Sequence, residues 1–436
     1  MALQVSRGVA PLDRDGVCLV KTRPAPEPLV VRRQSEIEDL CLACREEGRF
    51  GFDTEFVMED RFEAEVCLVQ IANRNTVALI DPLAGLNLDA IWNMVCDDRI
   101  ETLVHAGQED LGLAVQHTGR PPRRVFDLQV AAGLVGLDYP ISLQRLVQSL
   151  LHVRLHKSKT LTNWRRRPLT EAQVRYAAED VTHLLELHTK LQTKLQRLER
   201  AHWAEEEFQR IEDPACYRPV PEDRLQRLKG AGSLNGQQLA IAGRLLAWRD
   251  RTAQRINQPA RILLKDHLLI EIAKHAIGEV AELRELRGLN LSERNARAVC
   301  QEVQEAMALP NSEWPTPKPR EVETPREAAL MALATAVTRS YCLDHDIAYG
   351  MVATQKAIKS LVRFSAGGQT EEQLDLRLLR GWRRETVGTM LHEVLTGRML
   401  IHVEPATNGK ALHVVPVEEK NRTGLPGAGF PADPAP

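Results

Sequence analysis

Residues 50–57 read FGFDTEFV, and this stretch decides how the first part of the chain is expected to fold. Its apolar residues predict a β-strand. The alternation of a strand puts Asp53 and Glu55 on one face, opposite the face taken by Thr54 and the phenylalanines. Two carboxylates on one strand face repel each other unless a cation lies between them. The segment therefore predicts a metal-binding strand or, if it stands alone, a strand with a solvated acidic face.

Similar apolar runs surround this strand. Residues 66–72 and 76–80 predict two more strands joined by a hairpin at 73–75. Upstream, Ser35 to Glu38 has the capping-box pattern of a helix that should extend to about Glu47. Downstream, elements alternate, and we expect helix 88–96, strand 101–104, helix 109–117, strand 124–126 and helix 128–134. This order indicates an α/β fold with a mixed sheet flanked by helices.

Prolines and glycines divide the remainder of the chain. Thr170 to Gln173 forms another capping box, which begins a helical stretch reaching about Ile211. After a cluster of prolines, helical periodicity returns up to about residue 309 and again over residues 326–403. The expected divisions are a flexible arm at 1–28, the α/β domain at 29–212, a helical bundle at 219–310, a proline-rich linker at 311–325, a second helical domain at 326–415 and a disordered tail at 416–436.

Three further side chains belong with the acidic strand. Asp110 falls in the first turn of a predicted helix, where the helix dipole stabilises an anion. Tyr176 and Asp180 are four residues apart on another helix and therefore share one face. Together with the strand pair, these acids make four hard oxygen donors, the set that Mg²⁺ or Mn²⁺ prefers over Zn²⁺. Two such ions about 4 Å apart would stabilise the attacking and leaving oxygens of a phosphodiester.

Five motifs extend the pattern to a known family. The runs FDTEF, LVQIA, LVHAGQEDL, VFDLQVAAGLVG and RPLTEAQVRYAAEDV closely resemble, in this order and spacing, the DEDDy 3′→5′ exonucleases, and among them the ribonuclease D group. The resemblance covers roughly residues 30–210. It implies a ribonuclease H-like fold, two divalent metal ions (Mg²⁺ or Mn²⁺), and RNA as the partner, including tRNA precursors trimmed at their 3′ ends to release nucleoside 5′-monophosphates.

The same resemblance assigns roles to individual residues. Asp53, Glu55, Asp110 and Asp180 would be the metal-binding acids, with Asp53 bridging both ions and Asp110 acting largely through water. Tyr176 would orient the attacking water. His105 and Gln70 lie in matched motifs, and we interpret both as buried hydrogen-bonding residues that support the sheet.

A basic cluster precedes the helix that carries Tyr176. Cations beside an aromatic residue suit phosphate contacts and base stacking, and the alternative is a solvated loop that interacts with acidic surface nearby. The predicted nucleic-acid-binding residues are Lys157, Lys159, Trp164, Arg165, Arg166 and Arg167.

The helical regions also carry a resemblance. Residues 239–249 and 268–273 resemble the nucleic-acid-binding helicase and ribonuclease D C-terminal (HRDC) domain, and residues 326–403 could be a second, diverged copy or a scaffold-only helical domain. The fold class expected is therefore a ribonuclease H-like mixed sheet followed by one or two all-α, HRDC-like bundles.

Chain length, charge and composition limit the functions that remain. The 436 residues suggest two or three domains, and the net charge of -2 means that any basic surface must be local. Eight scattered cysteines indicate reduced thiols, and the absence of a long apolar run indicates a cytoplasmic protein, which we expect to be a monomer. Two alternatives remain open, a DEDDy exonuclease acting on DNA and a non-catalytic RNA-binding scaffold.

Overall fold

The acidic strand lies inside a six-stranded mixed sheet. The strands are β1 (Leu29–Val31), β2 (Arg49–Val57), β3 (Glu65–Ala72), β4 (Val77–Ile80), β5 (Glu101–Val104) and β6 (Val125–Asp127). Their order is β1-β4-β3-β2-β5-β6. β2 pairs antiparallel with β3 and parallel with β5, so the predicted meander and the predicted alternation meet at this strand. The mixed sheet expected from the sequence is confirmed, whereas β1, which pairs parallel with β4, was not predicted.

Our computed structural model describes residues 27–155, 163–217, 221–317, 323–367, 374–403 and 412–417. The expected arm and tail lie almost entirely outside these ranges, as does the middle of the proline-rich linker. Among the described residues, no helix is long and apolar enough to cross a membrane. The seven cysteines of these ranges are all unpaired, as predicted, and all but Cys216 are buried.

Helices cover both faces of the sheet. One face packs against α1 (Gln34–Glu47), α2 (Asp89–Val95) and α3 (Gln108–Thr118). The other packs against α4 (Leu128–Leu134), α5 (Leu143–Leu151), α6 (Glu171–Thr182), α7 (Leu184–Arg197) and α8 (Ala201–Ile211). Each face buries the apolar residues of alternate strand positions, which is why the strands read as nearly continuous apolar runs.

Two details of these helices differ from the predictions. α1 begins at Gln34 rather than after Ser35, because Glu36 accepts hydrogen bonds from the backbone nitrogens of Arg32 (2.8 Å) and Arg33 (3.0 Å). The single helical stretch expected from residue 170 to 211 is three helices. The last break contains Glu199, whose φ is 56°, a left-handed backbone angle that a continuous helix cannot contain.

A helical bundle with its own core follows, as predicted. It consists of α9 (Pro221–Arg227), α10 (Gly236–Ile256), α11 (Ala260–Leu263), α12 (Asp266–His275), α13 (Val280–Glu285) and α14 (Glu293–Met307). The long α10 lies at its centre and packs its apolar stripe against α12 and α14.

The last described region is helical only in part. Its helices are α15 (Pro325–Asp344), α16 (Tyr349–Val352), α17 (Gln355–Ser365), α18 (Gly381–Arg383) and α19 (Thr389–Leu395). It ends in an antiparallel pair, β7 (Met399–Val403) and β8 (Leu412–Pro416), so the helical prediction was wrong for these residues. Each strand satisfies the backbone groups of the other, a long-range pairing that helical periodicity cannot reveal.

This region shares a hydrophobic core with the α/β domain. Trp382, 1% exposed, lies in the same apolar cluster as the residues of α4 and α7. Its indole nitrogen donates to Glu207 of α8 (2.9 Å), which also forms an ion pair with the fully buried Arg383. Arg200 donates to the carbonyl oxygens of Leu134 (2.7 Å) and residue 346 (2.8 Å). The C-terminal helices are thus joined to helices of the α/β domain through buried polar contacts.

Candidate active site

Strand β2 presents the two motif acids on the face covered by α6. Asp53 lies opposite Gln70 of β3, and Glu55 lies opposite Leu68. The register shifts directly after Glu55, because Phe56 pairs with Val66 and leaves Cys67 as an extra residue, a bulge in β3 beside the acids. The sheet therefore fixes both carboxylates before any ligand is bound.

Helix α6 brings the second pair of residues over that face. Its N-terminus is held by the predicted capping box, in which the Gln173 backbone nitrogen donates to the Thr170 hydroxyl and the Gln173 side chain accepts from the Thr170 backbone (2.9 Å). Ala177 packs on apolar residues of β3 and β4. One helical turn therefore separates Tyr176 and Asp180 on the side facing the acids, where the phenol is near enough to lower the pKa of the Asp180 carboxyl.

Three of the four predicted acids meet at one point. One carboxylate oxygen from each of Asp53, Glu55 and Asp180 lies within 4.8 Å of the other two. This donor set of hard oxygens fits a divalent cation such as Mg²⁺ or Mn²⁺. Two buried groups add support, because Oδ2 of Asp180 and both amide atoms of Gln70 have no hydrogen-bond partner among the described residues. Gln70 is buried as predicted, but the hydrogen bonds expected of it are not formed within the described part of the chain. Such orphan groups are costly unless something bound there uses them.

Without a cation, the surroundings disfavour the ionised forms of these carboxyl groups. Burial, reinforced by the charge of Asp110, raises the pKa of Asp53 well above its usual range. Burial together with Asp180 raises the pKa of Glu55 to about 8. Burial also raises the pKa of Asp180 to about 7, although the Tyr176 hydrogen bond lowers it. A cation between these groups would reverse the shifts by favouring the charged forms.

The fourth acid, Asp110, lies beside this group without joining it. It occupies the first turn of α3, as predicted, and is 8% exposed. Its carboxylate accepts a hydrogen bond from the Thr54 hydroxyl. Asp110 is near enough to raise the pKa of both β2 acids.

The phenol of Tyr176 remains neutral at physiological pH. Burial and the nearby carboxylates raise its pKa above the usual value of a tyrosine. Its ring packs near the Trp164 indole, with the ring centroids 6.1 Å apart. A neutral hydroxyl held in this way can donate to or accept from a water molecule beside the acids.

Asp127, which was not predicted, supports the turn before α3. It caps α4 by accepting from the Gln129 nitrogen (2.8 Å), and it also accepts from the Ala106 nitrogen (3.2 Å) in the turn before α3. It therefore fixes the turn that leads to Asp110. Its position before a predicted helix was a capping signal that could have been used. His105 has the predicted supporting role, since its Nε2 contacts the Ile141 carbonyl oxygen at 2.9 Å.

The basic cluster is divided by the structure. Lys157 and Lys159 lie outside the described residues. Trp164 is 9% exposed and belongs to the apolar cluster beneath Tyr176, so its ring is unavailable for base stacking in this conformation.

The arginines of the cluster also differ from one another. Arg165 pairs with Asp60 and Glu65, both at 2.5 Å. Arg167 pairs with Asp81 at 2.5 Å and donates to the Cys67 carbonyl oxygen at 2.7 Å. For these two residues the contacts favour the alternative of pairing with nearby acids. Arg166 is exposed and remains a candidate for phosphate contact.

Comparisons with known proteins agree with this geometry. The 3'-5' exonuclease family matches residues 28–196, and the HRDC domain family matches residues 238–303. Ribonuclease D of Gluconacetobacter diazotrophicus is 34% identical over 384 residues, which cover 87% of this chain and 95% of that protein. Ribonuclease D of Granulibacter bethesdensis is 30% identical over 384 residues, with the same two coverages of 87% and 95%.

A solved structure extends the similarity to three dimensions. Escherichia coli RNase D, described as an exoribonuclease involved in structured RNA processing, matches with a TM-score of 0.74 at 27% identity. The match covers 85% of this chain and 99% of that one. Because these matches cover both the sheet domain and the HRDC bundle, the chain belongs to the ribonuclease D family of 3′→5′ exoribonucleases.

Proposed function

We propose that the chain shortens RNA from its 3′ end by two-metal hydrolysis at the acids beneath α6, releasing nucleoside 5′-monophosphates. The observation that carries this proposal is the meeting of Asp53, Glu55 and Asp180 within 4.8 Å. Asp53 would contact both ions, while Glu55 and Asp180 would complete the first site. Asp110 would hold the second ion largely through water.

Divalent ions, Mg²⁺ or Mn²⁺, would lower the pKa of the attacking water and neutralise charge on the leaving 3′ oxygen. The residues of the chain supply position. Tyr176 offers a neutral hydroxyl beside Asp180 that can orient the water for in-line attack. Without cations, the buried acids would tend to hold protons and could not activate a water molecule for attack, so we expect hydrolysis to depend on metal.

The substrates we propose are RNAs with single-stranded 3′ extensions, such as tRNA precursors with trailer nucleotides. The description of the E. coli relative as acting in structured RNA processing supports this choice. The HRDC bundle behind the catalytic domain would supply additional RNA contacts, together with Arg166, Lys157 and Lys159. A monomeric state and a cytoplasmic location remain predictions.

A labelled-strand assay tests the proposal. RNA and DNA of the same sequence, each with a 5′ label, are incubated with the protein in Mg²⁺, in Mn²⁺ and in EDTA. We expect a ladder that shortens from the 3′ end of RNA, that needs metal, and that disappears in Asp180→Asn. Glu205→Gln, which neutralises an exposed acid of α8, is the matched control and should retain activity.

Each other result selects another function. Faster degradation of the DNA strand would indicate that DNA, and not RNA, is the substrate. Binding of RNA without shortening in either metal would favour a scaffold. Equal activity of Asp180→Asn and wild type would refute the proposed site.

A further inference from the structure

The loop between the two active-site strands is held by the HRDC bundle. The β2–β3 loop (residues 58–64) follows the strand that carries Asp53 and Glu55. The side-chain oxygen of Asn257, at the end of α10, accepts hydrogen bonds from the backbone nitrogens of Phe62 (3.1 Å) and Glu63 (3.2 Å). Arg261 of α11 donates to the Glu59 carbonyl oxygen (3.2 Å). The bundle therefore binds the backbone of the loop rather than merely lying near it.

The geometry of Asn257 suits this task. It is the C-cap of α10, with φ 47° and ψ 51°, the left-handed conformation that asparagine tolerates better than most residues. Its own backbone nitrogen is used inside α10 to cap the carbonyl of Ala253. The side-chain oxygen accepts hydrogen bonds from two consecutive backbone nitrogens of the β2–β3 loop. Asn257 therefore holds the loop as a capping residue holds the end of a helix.

The loop is connected in turn to the segment that leads into α6. Arg165 forms a two-pronged contact with Asp60 of the loop, at 2.5 and 2.8 Å, and a third contact with Glu65 at the start of β3 (2.5 Å). A planar guanidinium that makes paired contacts fixes orientation as well as distance. The paired contacts therefore join the loop to the segment that contains Arg165.

Arg165 is adjacent in sequence to the residue that packs beside Tyr176. The buried Trp164 ring lies 6.1 Å from the Tyr176 ring, measured between centroids, in the same apolar cluster. The carbonyl oxygen of Asn163, one residue earlier, accepts from Gln173 in the first turn of α6 (3.5 Å). We therefore expect a shift of the loop to change the position of the Tyr176 side chain.

We propose that Asn257 is a positioning residue for the nuclease site, acting through the β2–β3 loop, Arg165 and Trp164 to hold Tyr176 in place. The HRDC bundle then contributes to the hydrolytic step as well as to RNA binding. This inference rests on the proposed role of Tyr176, and it concerns a residue whose side chain contacts the loop backbone instead of the acids.

The test compares two substitutions at Asn257 in the full-length protein. Asn257→Gly retains the left-handed backbone and removes the acceptor, whereas Asn257→Asp retains an acceptor oxygen and serves as the matched control. The substrate is a 5′-labelled RNA trinucleotide in Mg²⁺, chosen to occupy little beyond the active site. We expect Asn257→Gly to lower kcat about tenfold with KM nearly unchanged, since small misplacements of positioning groups cost this much or more. Asn257→Asp should keep the wild-type kcat.

A result for the trinucleotide can overturn the proposal. If Asn257→Gly keeps the wild-type kcat on this substrate, Asn257 has no positioning role, even if binding of longer RNA weakens. An equal loss of kcat in Asn257→Asp would likewise contradict a role for the acceptor oxygen.

Amide hydrogen exchange of the metal-free protein supplies a readout that needs no activity. In Asn257→Gly, peptides covering residues 58–65 and residues 163–176 should both exchange several-fold faster than in wild type. Faster exchange confined to residues 58–65, or no change in either peptide, would break the proposed path.

A double variant separates this inference from the function on which it rests. Tyr176→Phe should lower kcat by itself, and adding Asn257→Gly should cause little further loss, because both act on one group. A Tyr176→Phe variant with the wild-type kcat would refute the proposed role of Tyr176. Two losses that multiply in full would refute only the path from Asn257 to Tyr176.

Discussion

Replacing Glu55 by glutamine should stabilise the metal-free protein, and increasingly so as the pH rises. Burial and the neighbouring carboxylates raise the pKa of Glu55 from 4.5 to about 8 in the folded protein. Between these values the folded state binds the proton and the unfolded chain does not. The stability of the wild type therefore falls as the pH increases from 4.5 to 8. Glutamine has no charge to form, so Glu55→Gln escapes this loss.

The expected magnitude follows from the same shift. At about 1.36 kcal/mol per pH unit, protonation near pH 8 instead of 4.5 corresponds to roughly 5 kcal/mol for a fully isolated site. Glu55 is partly exposed, and solvent screening reduces that cost. We therefore expect Glu55→Gln to be more stable than the wild type by about 2 kcal/mol at pH 8, with little difference at pH 5.

Urea unfolding in EDTA at the two pH values measures this difference. Glu205→Gln, which changes an exposed acid of α8, is the control and should follow the wild type. With saturating Mn²⁺ the order should reverse, because the ion stabilises the protein that binds it more tightly. A Glu55→Gln protein that is less stable than the wild type at pH 8 in EDTA would refute the electrostatic reasoning.

Three other changes test separate parts of the structure. Tyr176→Phe should lower kcat about a hundredfold, within the range for a lost orienting group, while Mn²⁺ affinity measured by calorimetry stays close to wild type; a parallel loss of metal affinity would contradict an orienting role. Glu207→Gln should lower the free energy of unfolding by about 3 kcal/mol, because it leaves Arg383 buried without its anion. If urea unfolding shows an unchanged stability, the ion pair does not stabilise the fold. Thr170→Ala should cost about 1 kcal/mol in the same assay through loss of the α6 cap, and an unchanged midpoint would show that the cap contributes nothing.

Local patterns were sufficient where the chemistry is local. The alternation in FGFDTEFV predicted β2 and the shared face of its two acids, and the Thr170 capping box predicted the start of α6. The asparagine-rich hairpin between β3 and β4 also formed as predicted, with the Asn73 side chain accepting from the Thr76 nitrogen at 2.8 Å. In each case a few neighbouring residues satisfy their own backbone groups, so no distant partner is needed.

Contacts between residues far apart in the chain could not be predicted from the sequence. The pairing of Arg165 with Asp60 and Glu65 spans about a quarter of the chain, so its side chain could equally have been left free for phosphate. Trp164 was predicted to stack on bases but is buried near Tyr176. The shared core of the C-terminal helices depends on Trp382 finding Glu207, which no periodicity encodes.

The most direct test of the account is the number of Mn²⁺ ions bound per chain, measured by equilibrium dialysis in wild type and in Asp53→Asn. If the acids beneath α6 hold a pair of ions with Asp53 between them, the wild type should bind two and Asp53→Asn should lose affinity for both. Undiminished binding of two ions by Asp53→Asn would contradict the proposed metal centre.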